Sequence, residues 1–201
     1  MTRGATVPGY QKLAGVLAGV LLLGGCVSLG GKAPKQMISL TSNATAPAGE
    51  LAGASLRDAL VVLDPEADRR LDVQRVPVQV DDATIAYLKD ATWVERPARQ
   101  FRRLLAETIR AKGKRLVVEA GDASELAKTT LGGRLLDMGY DARSQTVVVR
   151  FDAMRSDAAG NVVSRRFEAT VPGVAPKVES VAPALNKAAN EVVAQVADWV
   201  G

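Results

Sequence analysis

The chain has 201 residues, with 26 Lys and Arg against 22 Asp and Glu, a formal net charge of +4, no histidine and one cysteine, Cys26. The lack of histidine and of a second cysteine excludes Ser-His-Asp and Cys-His catalysis and nearly every zinc site. A small net charge and an aromatic content of 4% argue against nucleic acid as a partner.

The N-terminal region begins with a basic segment carrying Arg3 and Lys12. An apolar run of 11 residues follows, Leu13 to Leu23, then Gly24-Gly25-Cys26. As a helix that run spans only ~16 Å, about half of a ~30 Å hydrocarbon core. It therefore reads as a cleaved signal rather than a permanent span. The order of apolar run, small residues and lone cysteine resembles the lipobox of bacterial lipoproteins. That resemblance implies cleavage between Gly25 and Cys26, a diacylglycerol on the Cys26 thiol and an acylated amine. One acyl chain binds a membrane only reversibly, so several are needed for stable anchoring. Loss of residues 1–25 removes Arg3, Lys12 and no acid, so the charge falls from +4 by two, to +2. The basic character of the whole chain is thus partly that of its signal. Residues 26–36 read as the acylated cysteine and a flexible tether, and 37–201 as one domain.

In the domain, Met37 to Thr41 is expected to be a first strand, and 43–55, rich in Ala, Gly, Thr and Pro, a loop. Ala59 to Leu63 reads as a buried strand stopped by Asp64-Pro65. Glu66 to Arg70 reads as a charged turn. Val76 to Val80 and Thr84 to Leu88, joined at Asp81-Asp82, read as a hairpin. Pro77 cannot donate to a ladder, so its strand is expected at an edge or locally bulged.

Pro97 suits the first position of a helix. Phe101, Leu104, Leu105, Thr108 and Ile109 then recur at helical spacing, and Gly113 closes the element. Residues 96–115 hold eight basic side chains, Arg96, Arg99, Arg102, Arg103, Arg110, Lys112, Lys114 and Arg115, against Glu107. Two readings stay open. Arg99, Arg102, Arg103 and Arg110 could face anionic lipid or an acidic partner. The plainer reading, which charge runs generally favour, is a solvated helix face.

Arg115 to Glu119 reads as a short strand. Three alternating stretches follow with short connections, predicting an antiparallel meander. Gly133–Tyr140 is expected to place Leu136, Met138 and Tyr140 on one side. Gln145–Met154 places Val147, Val149, Phe151 and Ala153 together. Asn161–Val171 does the same for Val163, Phe167, Ala169 and Val171, with Arg165 interrupting that side at a bulge or an exposed end. A last helix begins near 178–183, with Pro183 expected in its first turn, and its stripe is Leu185, Ala188, Ala189, Val192, Val196 and Trp199. The expected architecture is α+β: two layers, a largely antiparallel sheet with two helices packed on one face.

Ile38-Ser39-Leu40, Trp93-Val94-Glu95-Arg96-Pro97, Phe101-Arg102-Arg103-Leu104-Leu105, Asp157 to Val163 and Arg165-Arg166-Phe167 occur in this order behind the lipobox. In that order the chain resembles the ABC-type transport auxiliary lipoproteins, relatives of the paraquat-inducible intermembrane transport lipoprotein, over roughly residues 37–199. It departs from them at Arg96, which separates Glu95 from Pro97 where relatives carry a tighter Trp-Ala-Glu-Pro run. The resemblance implies a non-enzymatic periplasmic component without a cofactor. Its partners would be an ABC ATPase and permease and a mammalian-cell-entry-type substrate-binding protein, moving lipids or other hydrophobic molecules between two membranes. Val27 follows Cys26, so the aspartate that retains lipoproteins in the inner membrane is absent, which favours the outer membrane.

Two other functions are open to such a chain. An enzyme would have to use carboxylates such as Asp137, Asp141 or Asp152, yet acids opposite a sheet's apolar side are ordinarily just solvated. A structural or assembly lipoprotein of the outer membrane shares the anchor and lacks a transporter partner. Open edges of the meander leave room for a homo-oligomer.

Overall fold

The computed structural model describes residues 1, 2, 4, 36–49, 55–113, 115–119 and 127–201. The expected cleavage site at Gly25 and Cys26 and nearly all of the tether lie outside the described residues. The folded unit spans Pro34–Gly201. Its elements are β1 (Met37–Ile38), β2 (Leu60–Val62), β3 (Glu66–Ala67), β4 (Arg75–Gln79), β5 (Ile85–Trp93), α1 (Pro97–Ala111), β6 (Val117–Glu119), β7 (Thr129–Asp141), β8 (Thr146–Ser156), β9 (Val162–Val171) and α2 (Val178–Val200).

The axis of the sheet is β7, 13 residues long. On one side it pairs antiparallel with β8 from Thr130↔Ser156 to Asp141↔Thr146, and β8 pairs antiparallel with β9. This is the expected meander. On its other side β7 receives three short parallel partners in succession: β2 at Thr129–Leu131, β3 at Arg134–Leu135 and β4 at Tyr140–Asp141. The sheet is therefore mixed, with antiparallel order in its long ladders and parallel order in the short strands added to them. The expected turn 66–70 contains one of these additions, β3.

The alternation in β8 buries Val147, Val149, Phe151 and Ala153 completely. The residues between them face the opposite side. In β7 the register shifts between Leu135 and Asp137. An inserted residue flips the faces of everything beyond it. Leu131 and Leu135 are buried before the shift, and Met138 and Tyr140 after it. The expectation that Leu136 lies on the core side is thereby corrected: Leu135 takes that place. In β9 only Phe167 and Ala169 are buried, while Val163 is 47% exposed. Arg165 sits at this exposed end with its guanidinium 5.1 Å from the Phe167 ring centre. No register shift occurs there, so the exposed end, not a bulge, explains it.

β4 and β5 form the expected hairpin, but β4 lies between β5 and β7, so Pro77 is not on an edge. The second expected device is present instead. Between the Arg75↔Thr92 and Pro77↔Tyr87 pairs, four residues of β5 face one of β4, and Asp90 in the excess adopts a φ of 58°. On the β7 side, Gly139 makes room for Pro77. A Cβ there would lie 2.5 Å from the Pro77 carbonyl oxygen and 2.9 Å from its ring.

Both helices cover the face that holds Val147, Phe151 and Phe167. On α1, Phe101, Leu104, Leu105 and Ile109 are buried, and the Phe101 ring packs 5.0 Å from that of Phe151, tilted by 55°. On α2, Leu185, Ala188, Ala189, Val192 and Val196 are buried, and Trp199 meets Phe167 at 5.7 Å. Buried aromatic pairs in tilted contact add about 0.5–1.5 kcal/mol beyond their area. Pro183 falls in the second turn of α2, not the first, because the helix already starts at Val178. No helix among the described residues is long and apolar enough to cross a membrane.

Candidate functional site

Three surfaces of the folded unit bear on function. The first is the basic stretch around α1. The fold brings acids from distant segments onto its cations. Arg99 lies 3.4 Å from Glu95, which also pairs with Arg103. Arg102 sits between two acids, its Nη1 2.9 Å from Glu119 and its Nε 2.8 Å from Asp64. That Nε is not aligned for a hydrogen bond, so the Asp64 contact is ionic rather than directional. Arg110 lies 3.1 Å from Glu119 and 3.8 Å from Glu107. Arg96 pairs with Asp72 at 3.2 Å, and Lys112 with Asp198. Six of the eight cations of that run, Arg96, Arg99, Arg102, Arg103, Arg110 and Lys112, are thus ion-paired in space. Linear spacing could not reveal this, because Asp64, Asp72, Glu119 and Asp198 come from other elements.

The second surface is the sheet face turned away from the helices. Two rows of charge cross it from strand to strand. One runs Asp137 on β7, Arg150 on β8 and Glu168 on β9; the other runs Arg134, Asp152 and Arg166 on the same strands. Arg150 binds Asp137 at 2.5 Å and also pairs with Glu168. Arg166 grips Asp152 through two hydrogen bonds of 2.6 and 2.7 Å. Arg70, from the β3–β4 connection, adds a 2.6 Å bond to Asp137, and Arg134 pairs with Asp68. Asp141 holds Arg143 at 2.9 Å.

These contacts decide what the three candidate carboxylates can do. The Arg166 hydrogen bonds hold the Asp152 carboxyl below the usual carboxylate range, and those of Arg143 do the same for Asp141. Each is a fixed anion at neutral pH, whereas a general acid needs a proton to give. Asp137 is shared between two arginines. The three acids line one face and each is bound to arginine, Asp137 and Asp152 in cross-strand pairs and Asp141 to Arg143 of the β7–β8 connection. No cluster of His, Cys, Asp and Glu suited to a metal occurs among the described residues.

Beside the charged rows lies an apolar groove. Leu63, Met154 and Val162 line it, with exposures of 36, 49 and 59%, over a floor that includes Gly132 and Gly133.

The third surface is where the chain enters the domain. The segment after β1 is tied by side-chain amides of both helices. Leu40 N–H donates to Gln100 Oε1 at 3.0 Å, Thr41 N–H to Asn186 Oδ1 at 2.8 Å and Asn43 N–H to Asn190 Oδ1 at 2.8 Å. Asn190 Nδ2 returns a bond to the Thr41 carbonyl at 2.9 Å, and Ala46 N–H reaches Glu107 at 2.8 Å. Gln100 and Asn190 are 2% and 7% exposed. Sequence reasoning missed this clamp. Its one signal was polar amides at positions 100 and 190, which helical spacing places on the buried faces.

An α+β unit with two helices on one face of a mixed sheet is a fold that known structures share. A Xanthomonas campestris protein of the DUF330 family has a TM-score of 0.68 at 17% identity, covering 82% of this chain and 94% of that one. A second crystal structure, described as an uncharacterized protein, has a TM-score of 0.64 at 14% identity and covers 83% and 100%. A comparison with curated proteins finds no match. Residues 39–197 match the ABC-type transport auxiliary lipoprotein component, and the chain belongs to that family.

Proposed function

We propose that the chain is a lipoprotein anchored through acyl chains on Cys26 in the outer membrane, facing the periplasm. There it acts as a non-enzymatic accessory of an ABC transport system whose substrate-binding protein is of the mammalian-cell-entry type and whose cargo is lipid or another hydrophobic molecule. The observation that carries this reading is the family match over residues 39–197 behind a sequence of lipobox form. Three features of the chain support it. The carboxylates on the outer face are committed to arginine partners. The entry clamp joins residues 40–46 to both helices through hydrogen bonds, so a pull on the anchor reaches the core directly. The leader sequence Gly24-Gly25-Cys26 supplies the thiol on which such an anchor is built.

Arg99, Arg102, Arg103 and Arg110 remain a contact surface for lipid headgroups or an acidic partner in this proposal, in a specific form. A partner must supply acids that compete with Glu95, Glu107 and Glu119, so binding exchanges one set of ion pairs for another and weakens with salt. The test is capture of the tagged full chain from cross-linked membranes of its own organism, with partners identified by mass spectrometry. Recovery of a mammalian-cell-entry-type protein, or of the ATPase and permease, is the expected result. Recovery of only cell-wall enzymes or porins would contradict it.

A further inference from the structure

Part of the charged outer face is concave. The cleft there has a volume of about 330 Å³, at the low end of the ~300–1,000 Å³ of ligand clefts. Pro77 and Gly139 line it, and Gly139 brings no side chain to fill it. Arg70, Arg143 and Arg150 line it against Asp82, Asp137 and Asp141, so its charges balance.

The less exposed groups are two arginines held by one acid. Arg70 and Arg150 reach different oxygens of Asp137 at 2.6 and 2.5 Å, and the three side chains are 27, 35 and 21% exposed. Asp137 fixes both guanidiniums without exhausting them, since each guanidinium carries five N–H groups. Among the described residues, the bonds of Arg70 all leave from Nη2, and those of Arg150 from Nε and Nη1. Nε and Nη1 of Arg70 and Nη2 of Arg150 remain for a ligand. At the mouth, Arg143 is already held by Asp141 through two bonds, of 3.3 and 2.9 Å. Asp82, which also pairs with Arg143, is 95% exposed and is the acid most easily drawn to another cation.

Fixed cations with spare donors inside and an exposed acid at the mouth complement a ligand that carries both signs. Paired guanidiniums suit phosphate oxygens. A carboxylate suits a primary ammonium, whereas a quaternary one is recognised by aromatic faces. The one aromatic residue of the lining, Tyr140, is 2% exposed.

Strand directions put this cleft at the end from which the chain enters. β4 runs parallel to β7 and antiparallel to β5, and β1 runs parallel to β5. β1 therefore runs against β7 and receives the chain from the end of the sheet where β7 finishes at Asp141. The β4–β5 and β7–β8 turns, which carry Asp82 and Arg143, lie at that same end. Ile85, paired with Gln79 of the cleft wall, is 41% exposed beside it.

We propose that this cleft binds the headgroup of a zwitterionic phospholipid bearing a primary ammonium. The phosphate lies against Arg70 and Arg150, the ammonium at Asp82, and Ile85 meets the acyl side. That the lipid comes from the membrane holding the anchor rests on the anchored reading above; the site itself does not.

The test holds the full chain in a nonionic, phosphate-free detergent and adds water-soluble glycerophosphoethanolamine. Binding is followed by NMR of the arginine Nε–H groups and the Gly139 amide. The probe has no acyl chains, so its failure strikes the cleft alone, and failure of the anchor shows in the intact mass. Saturable shifts with a dissociation constant on the order of 1 mM are expected. Arg70→Ala is expected to weaken binding about tenfold or more through loss of a charged contact. Glycerophosphoglycerol and inorganic phosphate, which lack the ammonium, are expected to bind about two- to fivefold more weakly. Asp82→Asn should erase that preference. Arg166→Gln, on the same face outside the cleft, should leave binding unchanged. Absence of saturable shifts overturns the proposal, as does an Arg70→Ala protein that binds like the parent. Phosphate or glycerophosphoglycerol binding as tightly as the zwitterion also overturns it. Should Arg70→Ala misfold, Asp82→Asn decides, because its side chain is 95% exposed and lies in a turn; a preference that survives it refutes the site.

Discussion

Two adjacent glycines in β7 face opposite fates on substitution by alanine. Gly133 adopts a φ of 138°, and a Cβ built there would lie 1.9 Å from the Asp152 carbonyl oxygen. Backbone in that region costs a side chain roughly 1–3 kcal/mol. The clash is with main chain, so relief requires opening the β7–β8 ladder, at about 1 kcal/mol for each hydrogen bond lost. Together these give about 3–5 kcal/mol for Gly133→Ala. In a domain of this size 1 kcal/mol moves the melting temperature by about 2–4 °C, so the expected fall is about 6–20 °C. Gly132 has an ordinary φ, and its Cβ would meet only the Leu63 side chain, with Cδ1 at 3.2 Å. That side chain is partly exposed and can turn aside, so Gly132→Ala should cost less than about 1 kcal/mol. Thermal unfolding by circular dichroism, with urea titration to obtain free energies, separates the two. Equal shifts, or a Gly133→Ala protein melting with the parent, would show that the ladder does not close on Gly133 as described.

Other predictions concern the charged face and the clamp. The Asp152 carboxyl is held below its ordinary value of 3.8 in the folded chain, first by the Arg166 hydrogen bonds. A lowered folded value means that its stabilisation is present above the unfolded value and is lost as pH falls through the folded one. Asp152→Asn should therefore flatten the loss of stability below about pH 4, and unchanged acid unfolding would remove Asp152 from that role. The Asn190 side chain answers the Asn43 N–H and the Thr41 carbonyl while almost fully buried. Asn190→Leu should cost about 1–3 kcal/mol by leaving these groups unpaired. It should also make residues 39–44 susceptible to protease, and a protease pattern like the parent's would count against the clamp.

Where one rule acts over many residues, the sequence was readable. The alternation of Val147, Val149, Phe151 and Ala153 and the helical spacing from Phe101 to Ile109 led directly to β8, α1 and their buried faces. Where a single extra residue changes the phase, it was not: Leu135 and Leu136 look alike until the register shift in β7 is known. The two-residue strand β3, Glu66–Ala67, is charged and too short to carry an apolar pattern, unlike β2, whose apolar run marked it. The basic stretch was ambiguous in the sequence for a different reason. Charge along a chain is local, but neutralisation by Asp64, Asp72, Glu119 and Asp198 depends on how distant segments meet. The carboxylates at 137, 141 and 152 were placed correctly on one face, and only the geometry showed each bound to an arginine.

The intact mass of the chain extracted from membranes of its own organism bears on everything built upon Cys26. A polypeptide starting at Cys26, carrying a diacylglyceryl group on its sulfur and an acyl group on its amine, is the predicted species. An unacylated chain recovered from the soluble fraction would contradict the anchored accessory described above.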